Sequence, residues 1–230
     1  MELSKFEEKT KIKFNDKNLL KQAFMHRSYL NEHKDLGLDH NERLEFLGDA
    51  VVEIAVTDFL YHKFVSTPEG ELTAYRAALV NANTMSEVAS KLEMNDFMYL
   101  SKGESKDTGR ARQIILANAF EALVGAIYLD QGYEVARQFI VDNLLPITDQ
   151  IVSQKLWQDA KSFFQEKAQE VIGITPNYKI LSEAGPDHNK RFTVGLFLAD
   201  EQIASGEGHS KQEAEQEAAR KGLEGKGWNS

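Results

Sequence analysis

The segment 116–130 is the feature that most constrains the fold of this chain. It reads LANAFEALVGAIYLD and is almost wholly apolar, which predicts a helix buried in a core. Asn118 and Glu121 interrupt it three residues apart, so they lie on one face of that helix. Burying a carboxylate is costly unless it is paired or bound to a metal ion. The segment contains no basic residue, and Glu121 therefore needs a partner from elsewhere in the chain.

A second segment, 41–49, places three carboxylates along one side of another predicted helix. Glu42, Glu45 and Asp49 have the spacing i, i+3, i+7 and stack on the same face, where they repel one another. The apolar residues on the other sides of this helix are predicted to face a core: Leu44, Leu47, Ala50 and Val51. Such a stripe is either a solvated helix face or a set of oxygen ligands held together by a divalent cation. A shared metal ion would also neutralise Glu121.

These two segments together resemble bacterial ribonuclease III. NERLEFLGDA at 41–50 matches the signature of that family, and LANAFEALVGAIYLD at 116–130 matches the family as well. The segment HRSY at 26–29 is similar to the family's early HxSY segment, and PEGE at 68–71 is similar to its acidic turn. The resemblance extends over nearly the whole chain, and the C-terminal third resembles a double-stranded RNA-binding domain.

The resemblance implies both a fold and an activity. The expected fold is an all-α catalytic domain of the ribonuclease III type, followed by an α+β domain of the double-stranded RNA-binding type. The expected activity is that of an endoribonuclease that hydrolyses phosphodiester bonds of double-stranded RNA. It would leave 5′-phosphate and 3′-hydroxyl ends and would take part in the processing of rRNA, mRNA and other RNA.

The resemblance also assigns roles to acidic residues. It implies that Glu45, Asp49 and Glu121 are the metal-associated acids, with Asp49 and Glu121 catalytic, and that Glu42 and Glu69 support the site. Phosphodiester hydrolysis needs an activated water, charge neutralisation on the phosphate and help for the leaving oxygen. One or two Mg²⁺ ions can supply all three, and carboxylates are their natural ligands. Mn²⁺ is a possible substitute, and no small-molecule cofactor is expected.

Asn118 departs from the pattern of the family, in which an Asp normally stands three residues before the helix Glu. Its amide oxygen can still ligate a metal ion, so Asn118 remains a candidate ligand, but it brings no charge and cannot act as a base. The residue is either natural variation or an inactivating substitution. The alternative to an active nuclease is therefore a double-stranded RNA-binding protein with impaired or absent cleavage.

Phe46 lies between the acidic positions and has two interpretations. It is either an ordinary core residue or, as the resemblance implies, a side chain that inserts into the partner subunit of a homodimer. A dimer would place two acidic sites across one groove, one for each strand of an RNA duplex.

The periodicity of the sequence predicts where the domains and helices lie. We expect a catalytic domain over 1–150, a linker over 151–157 and an RNA-binding domain over 158–230. Within the first domain, helices are predicted after a cap at Asp16, over 42–64, over 71–80, from a capping box at Thr84 to Leu92, and over 133–145. Residues 103–112 are predicted to form a polar loop.

The second domain has a different pattern. Asp159 is predicted to cap a helix that Gly173 ends. Three strands and a last helix follow in the order α-β-β-β-α, at 176–182, 192–198, 201–206 and 211–223.

The resemblance places RNA contacts in this second domain. Gln165 and Glu166 match the first minor-groove contact, and His188 would reach a second minor groove. Ser210 and Lys211 begin the last helix, where backbone N–H groups favour phosphate, and Lys190 adds positive charge nearby. Recognition is expected to follow the shape of the duplex more than its sequence.

The composition of the chain limits where the protein can act, but its net charge does not indicate RNA binding. The chain of 230 residues carries a net charge of −9; residues 158–230 hold 9 basic against 12 acidic side chains, and residues 1–157 hold 18 against 24. Binding to phosphate therefore has to depend on local clusters. There is no cysteine for a disulfide or a thiolate metal site, and the N-terminus lacks the apolar region of a signal peptide. No apolar stretch is predicted to span a membrane, so we expect a cytoplasmic protein.

Overall fold

The computed structural model describes residues 2–34, 37–186 and 190–228. The chain forms two compact units, Met1–Trp157 and Gln158–Ser230, and each has a hydrophobic core of its own.

The first unit is helical. Over its described residues the helices are α1 (Leu3–Thr10), α2 (Lys17–Ala23), α3 (Arg27–Glu32), α4 (Glu42–Lys63), α5 (Glu69–Leu79), α6 (Ala82–Lys91), α7 (Arg110–Gln131), α8 (Tyr133–Asn143) and α9 (Thr148–Ser153). Short 3₁₀ turns lie at Met94–Phe97, Glu104–Lys106 and Leu145–Ile147. This all-α architecture confirms the fold class expected for the catalytic part.

Helix α7 is the centre of the first unit. It packs most extensively against α4 and also against α2, α6 and α8. Most of its apolar side chains are buried, with Phe120, Leu123 and Ile127 fully so, which confirms the prediction of a core helix. Contrary to the sequence-based expectation, α7 is long and apolar enough to cross a membrane, but 61% of its apolar window is buried inside the unit. That burial is the ordinary state of a core helix.

Helices α4 and α7 approach each other closely at two glycines. A Cβ atom built on Gly48 would lie 1.8 Å from the carbonyl oxygen of Glu121, and one built on Gly125 would lie 2.2 Å from that of Leu44. Both positions therefore exclude any side chain. The backbones meet directly, and the residues that flank these glycines are brought to the same place.

Several predicted helix boundaries are confirmed, and others differ by a few residues from the observed ones. Asp16 accepts a hydrogen bond from the backbone N–H of Asn18 and caps α2 as predicted. Helix α6 begins earlier than its predicted capping box, because the Asn81 side chain caps it by accepting from the N–H of Thr84. Helix α5 begins at Glu69, and the predicted loop ends at Arg110, where α7 starts.

Residues 151–157, which the sequence predicts as a linker, belong to the first unit. Ile151 is buried on α9, and the ring of Trp157 packs edge-on against the ring of Tyr75 with centroids 5.0 Å apart. These apolar contacts draw the segment into the core of the helical unit.

The second unit has the predicted α-β-β-β-α order. It consists of α10 (Ala160–Ile172), β1 (Asn177–Ala184), β2 (Arg191–Leu198), β3 (Glu201–Gly208) and α11 (Lys211–Lys226). The three strands form an antiparallel sheet in the order β1-β2-β3. Asp159 caps α10 by accepting from the N–H of Ser162, and Gly173 ends it at φ 67°, as predicted. Phe164 of α10 and Leu196 of β2 are fully buried in the core between helices and sheet.

We expect Gly48→Ala to disrupt the first unit. The added methyl group meets a backbone carbonyl that cannot move alone, so α4 and α7 must separate, with a destabilisation of about 3 kcal/mol or more. Urea unfolding followed by circular dichroism measures it. The matched control is Gly225→Ala in α11, where a Cβ meets nothing within 4 Å and Ala should stabilise the helix by roughly 0.5–1 kcal/mol. Equal stability of Gly48→Ala and the parent protein would contradict the close approach.

Candidate functional site

The contact between α4 and α7 unites the two acidic segments. The Asn118 amide lowers the pKa of the Glu45 carboxyl, and the charges of Glu45 and Asp49 act on Glu121. The structure therefore brings together the four residues predicted as metal ligands. The separation of these residues in the sequence does not require them to be close. Their proximity follows from the crossing of α4 and α7 at Gly48.

The electrostatics of the site are unfavourable without a counter-ion. Burial, followed by the charges of Asp49, Glu45 and Glu53, raises the pKa of Glu121 to about 8. Burial and the neighbouring charge of Glu42 also raise the pKa of Glu45, against a lowering by the Asn118 hydrogen bond. Within the described ranges no Lys, Arg or His forms an ion pair with Glu45, Asp49 or Glu121. The carboxylates are thus held together at a cost that a bound cation would relieve.

The donor set suits a hard divalent cation. It offers three carboxylates and one amide oxygen, which are the ligand types that Mg²⁺ and Mn²⁺ take. As placed, however, no three Asp, Glu or His side chains within residues 2–34, 37–186 and 190–228 already form a group that could hold an ion. The residues fit a metal by their chemistry and charge, and binding would have to draw the carboxylates closer together.

The two supporting acids differ in their relation to this site. Glu42 is exposed and pairs with Arg27 (Nη1–Oε1 3.5 Å), and its charge acts on Glu45. Glu69 begins α5 and accepts a hydrogen bond from Thr73 (Oγ1–Oε1 3.3 Å). No described contact or charge interaction joins Glu69 to Glu45 or Glu121 in this structure.

Sequence reasoning missed Glu53 and Arg76. Glu53 lies one turn beyond Asp49 on α4, and its charge contributes to the raised pKa of Glu121. Its carboxylate forms an ion pair with Arg76 on α5, with 3.0 Å between Nε and Oε2. The spacing i+4 from Asp49 was a signal that the acidic stripe continues.

Phe46 is not a core residue. Its side chain is 82% exposed, whereas Leu44 and Val51 of the same helix are buried as predicted. Ala50, predicted to face the core, is exposed instead, and Ile54 is also 55% exposed. Phe46, Ala50 and Ile54 are spaced four residues apart and form one apolar stripe on the solvent side of α4, which we name the α4 stripe.

The predicted RNA contacts of the second unit lie at its surface. Gln165 and Glu166 are exposed on α10, beside the buried Phe164. Ser210 caps α11 by accepting from the N–H of Glu213, and Glu213 in turn accepts from the N–H of His209 (2.9 Å). These two hydrogen bonds fix the start of the helix. His188 lies outside the described residues.

Two of the predicted basic residues meet at one acid. Lys190 and Lys211 lie 3.7 and 3.9 Å from opposite oxygens of the Glu183 carboxylate on β1. Lys211 also lies over the ring of Phe192 at 5.8 Å. A local basic cluster therefore exists in this acidic unit, and Glu183 both assembles it and partly neutralises it.

Comparisons with known proteins agree with this arrangement. Residues 16–148 match the ribonuclease-III-like family model, and residues 160–225 match the double-stranded RNA binding motif. Curated proteins named Ribonuclease 3 are similar over nearly the full length. The relative from Pelotomaculum thermopropionicum is 44% identical, covering 92% of this chain and 88% of its own. The relative from Oceanobacillus iheyensis is 43% identical, covering 97% of this chain and 98% of its own.

Solved structures agree for the helical unit. The nuclease domain of ribonuclease III from Campylobacter jejuni superposes with a TM-score of 0.57 at 38% identity, covering 63% of this chain and 96% of that domain. The fold and these matches to known families together define a protein with a helical nuclease domain followed by a double-stranded RNA-binding domain. The chain belongs to the ribonuclease III family. It is an endoribonuclease specific for double-stranded RNA, and the alternative of a binder without cleavage finds no support among these relatives.

The raised pKa of Glu121 predicts a pH-dependent cost to stability. A carboxyl group with a folded-state pKa of about 8 against an ordinary 4.5 favours folding below pH 4.5, and this contribution is lost as pH rises to 8. In a chelating buffer, Glu121→Gln should therefore match the parent near pH 5 and exceed its stability by a few kcal/mol near pH 8. Thermal melts at both values measure the difference. A variant less stable than the parent at pH 8 would contradict the electrostatic account.

Proposed function

We propose that this protein hydrolyses double-stranded RNA with a divalent metal ion, Mg²⁺ or in its place Mn²⁺, held by Glu45, Asp49 and Glu121. The observation that carries the proposal is the electrostatic cost at the α4–α7 crossing: burial and the charges of Asp49 and Glu45 raise the pKa of Glu121 to about 8. Such an arrangement persists when binding of a cation offsets it.

The residues of the chain have distinct roles in this proposal. When bound, the ion would supply charge neutralisation on the phosphate and activation of the attacking water. Glu45, Asp49 and Glu121 would hold the ion, and the Asn118 amide lowers the pKa of Glu45. The amide oxygen of Asn118 would be a further, neutral ligand. Glu42 adds charge at the edge of the site, and the role of Glu69 as a supporting acid remains part of the proposal.

We propose further that the protein acts as a homodimer. The α4 stripe exposes Phe46 next to the acidic site, and a large apolar side chain that is 82% exposed is suited to burial against a partner. The similar nuclease domain from Campylobacter jejuni is described as structurally flexible in a region involved in dimer formation. Two copies would present two acidic sites to the two strands of a duplex.

The second unit would hold the duplex. Gln165 and Glu166 on α10 would contact one minor groove and His188 another, while Lys190, Lys211 and the N-terminus of α11 at Ser210 would meet phosphate. The proposed products are 5′-phosphate and 3′-hydroxyl ends. The proposed substrates are precursors of rRNA, mRNA and other RNA in the cytoplasm.

A cleavage assay on long duplex RNA, titrated with Mg²⁺ at one salt concentration, tests the proposal. Cleavage should need the cation, and Glu121→Gln should lower the rate by about tenfold to a hundredfold or more while leaving duplex binding intact. Asn118→Asp adds a charge next to the cation and should lower the Mg²⁺ concentration for half-maximal cleavage. Undiminished cleavage in chelator, or by Glu121→Gln, would remove the metal from the mechanism.

Phe46→Arg should weaken the dimer. A charge placed in an apolar interface is buried without a partner, so the dissociation constant should rise by at least about tenfold. Analytical ultracentrifugation over a concentration series measures it. The control is Val65→Arg, because Val65 is also exposed (84%) but lies beyond α4. Equal dissociation constants for the two variants would exclude Phe46 from the interface.

Glu183→Gln should tighten binding to duplex RNA. The substitution removes one negative charge beside Lys190 and Lys211, so phosphate is repelled less, and the gain should be largest at low salt and should shrink as salt rises. Fluorescence anisotropy on duplex RNA at several salt concentrations measures it. The control is Glu201→Gln at the opposite end of the sheet, where Glu201 pairs with Leu198. An equal gain in both variants would show a general charge effect only.

A further inference from the structure

Glu53 is an acid of α4 that the proposed ligand set does not include. Its charge acts on Glu121 together with those of Asp49 and Glu45. It follows Asp49 by four residues and therefore continues the acidic stripe of α4 by one turn. Asn118 brings no charge, and Glu53 is a carboxylate additional to Glu45, Asp49 and Glu121.

The position of Glu53 is fixed from another helix. The Nε atom of Arg76 on α5 forms an ion pair with the Glu53 carboxylate at 3.0 Å, and Nη1 donates to the hydroxyl of Thr57 at 3.1 Å. Thr57 lies one turn beyond Glu53 on α4, so a single planar guanidinium contacts two successive turns of that helix. A fork of this kind fixes geometry as well as charge, which a lysine could not do.

This contact has two possible consequences, and they differ in sign. If Arg76 were only an opposing charge, it would weaken cation binding at the site, because like charges repel. If Arg76 instead orients Glu53, it would strengthen cation binding. Bound Mg²⁺ keeps several of its water ligands, and the protein groups that accept hydrogen bonds from those waters influence the affinity for the ion. The side chains of Arg76 and Glu53 are 35% and 38% exposed. Glu53 is therefore accessible to water, and Arg76 is restricted by the residues around it.

We propose that Glu53 is a further acid of the cleavage site and that Arg76 is its positioning residue. Glu53 strengthens the binding of a divalent cation at Glu45, Asp49 and Glu121 without contacting the ion itself. Arg76 restricts Glu53 to the orientation in which it does so. This inference rests on the proposed metal site.

The test measures cation binding directly, through the rise in melting temperature with Mg²⁺ and through calorimetric titration with Mg²⁺, both without RNA. Glu53→Gln should raise the Mg²⁺ concentration for half-maximal stabilisation by about tenfold. Arg76→Gln should raise it in the same direction, although it removes a positive charge. Arg76→Lys, which keeps the charge but not the fork, should fall between the parent and Arg76→Gln.

Two further variants isolate the pair. In the Glu53→Gln background, Arg76→Gln should change Mg²⁺ binding no further, because its effect passes through Glu53. The matched control is Arg137→Gln. Arg137 pairs with Asp58 of α4 at 3.7 Å, with exposures of 36% and 40%, and its loss should leave Mg²⁺ binding unchanged. Melting temperatures in chelator show that each variant is folded.

The outcomes separate this inference from the proposed function. If the parent protein is not stabilised by Mg²⁺ or Mn²⁺ at all, the metal site and this inference both fail. If the parent is stabilised and Glu53→Gln responds identically, the metal site stands and Glu53 is no part of it. If Arg76→Gln binds Mg²⁺ more tightly than the parent, Arg76 is an opposing charge and its positioning role is overturned.

Discussion

The direct backbone contact between α4 and α7 is the constraint on which the rest of this protein depends. It exists because Gly48 and Gly125 carry no side chains where the helices cross. The same contact buries the apolar faces of both helices and sets Glu45 and Asp49 beside Glu121. Stability and the cleavage site are therefore built from one packing feature, and a change at either glycine affects both.

The acidic site at this contact has an unfavourable electrostatic energy. Burial and mutual repulsion raise the pKa of Glu121 to about 8, so the folded chain without a cation is less stable than a neutral equivalent would be. A hard cation is the natural compensation for oxygen ligands without a basic partner. The second unit solves the reverse problem, because it must bind phosphate although it is acidic, and it gathers Lys190 and Lys211 around Glu183.

Much of the fold follows from local sequence. The α-β-β-β-α order of the second unit, the caps at Asp16 and Asp159 and the burial of α7 were predicted because they depend on periodicity and on side chains a few residues apart. The misplaced features depend on contacts that spacing does not reveal. The predicted linker is held in the core through Trp157 and Tyr75. Helix α6 starts early because Asn81 caps it, while the hydroxyl of Thr84 donates to the carbonyl of Ala78 instead.

The sequence by itself determined the candidate acids, because a lone carboxylate in an apolar helix and a stripe of three on another are visible without coordinates. Only the tertiary structure decided that Asn118 acts on Glu45, that Phe46 is exposed, and that Glu53 and Arg76 adjoin the site. The physical reason is that helical spacing fixes which residues share a face of one helix, whereas the approach and crossing of two helices depend on contacts made across the whole unit.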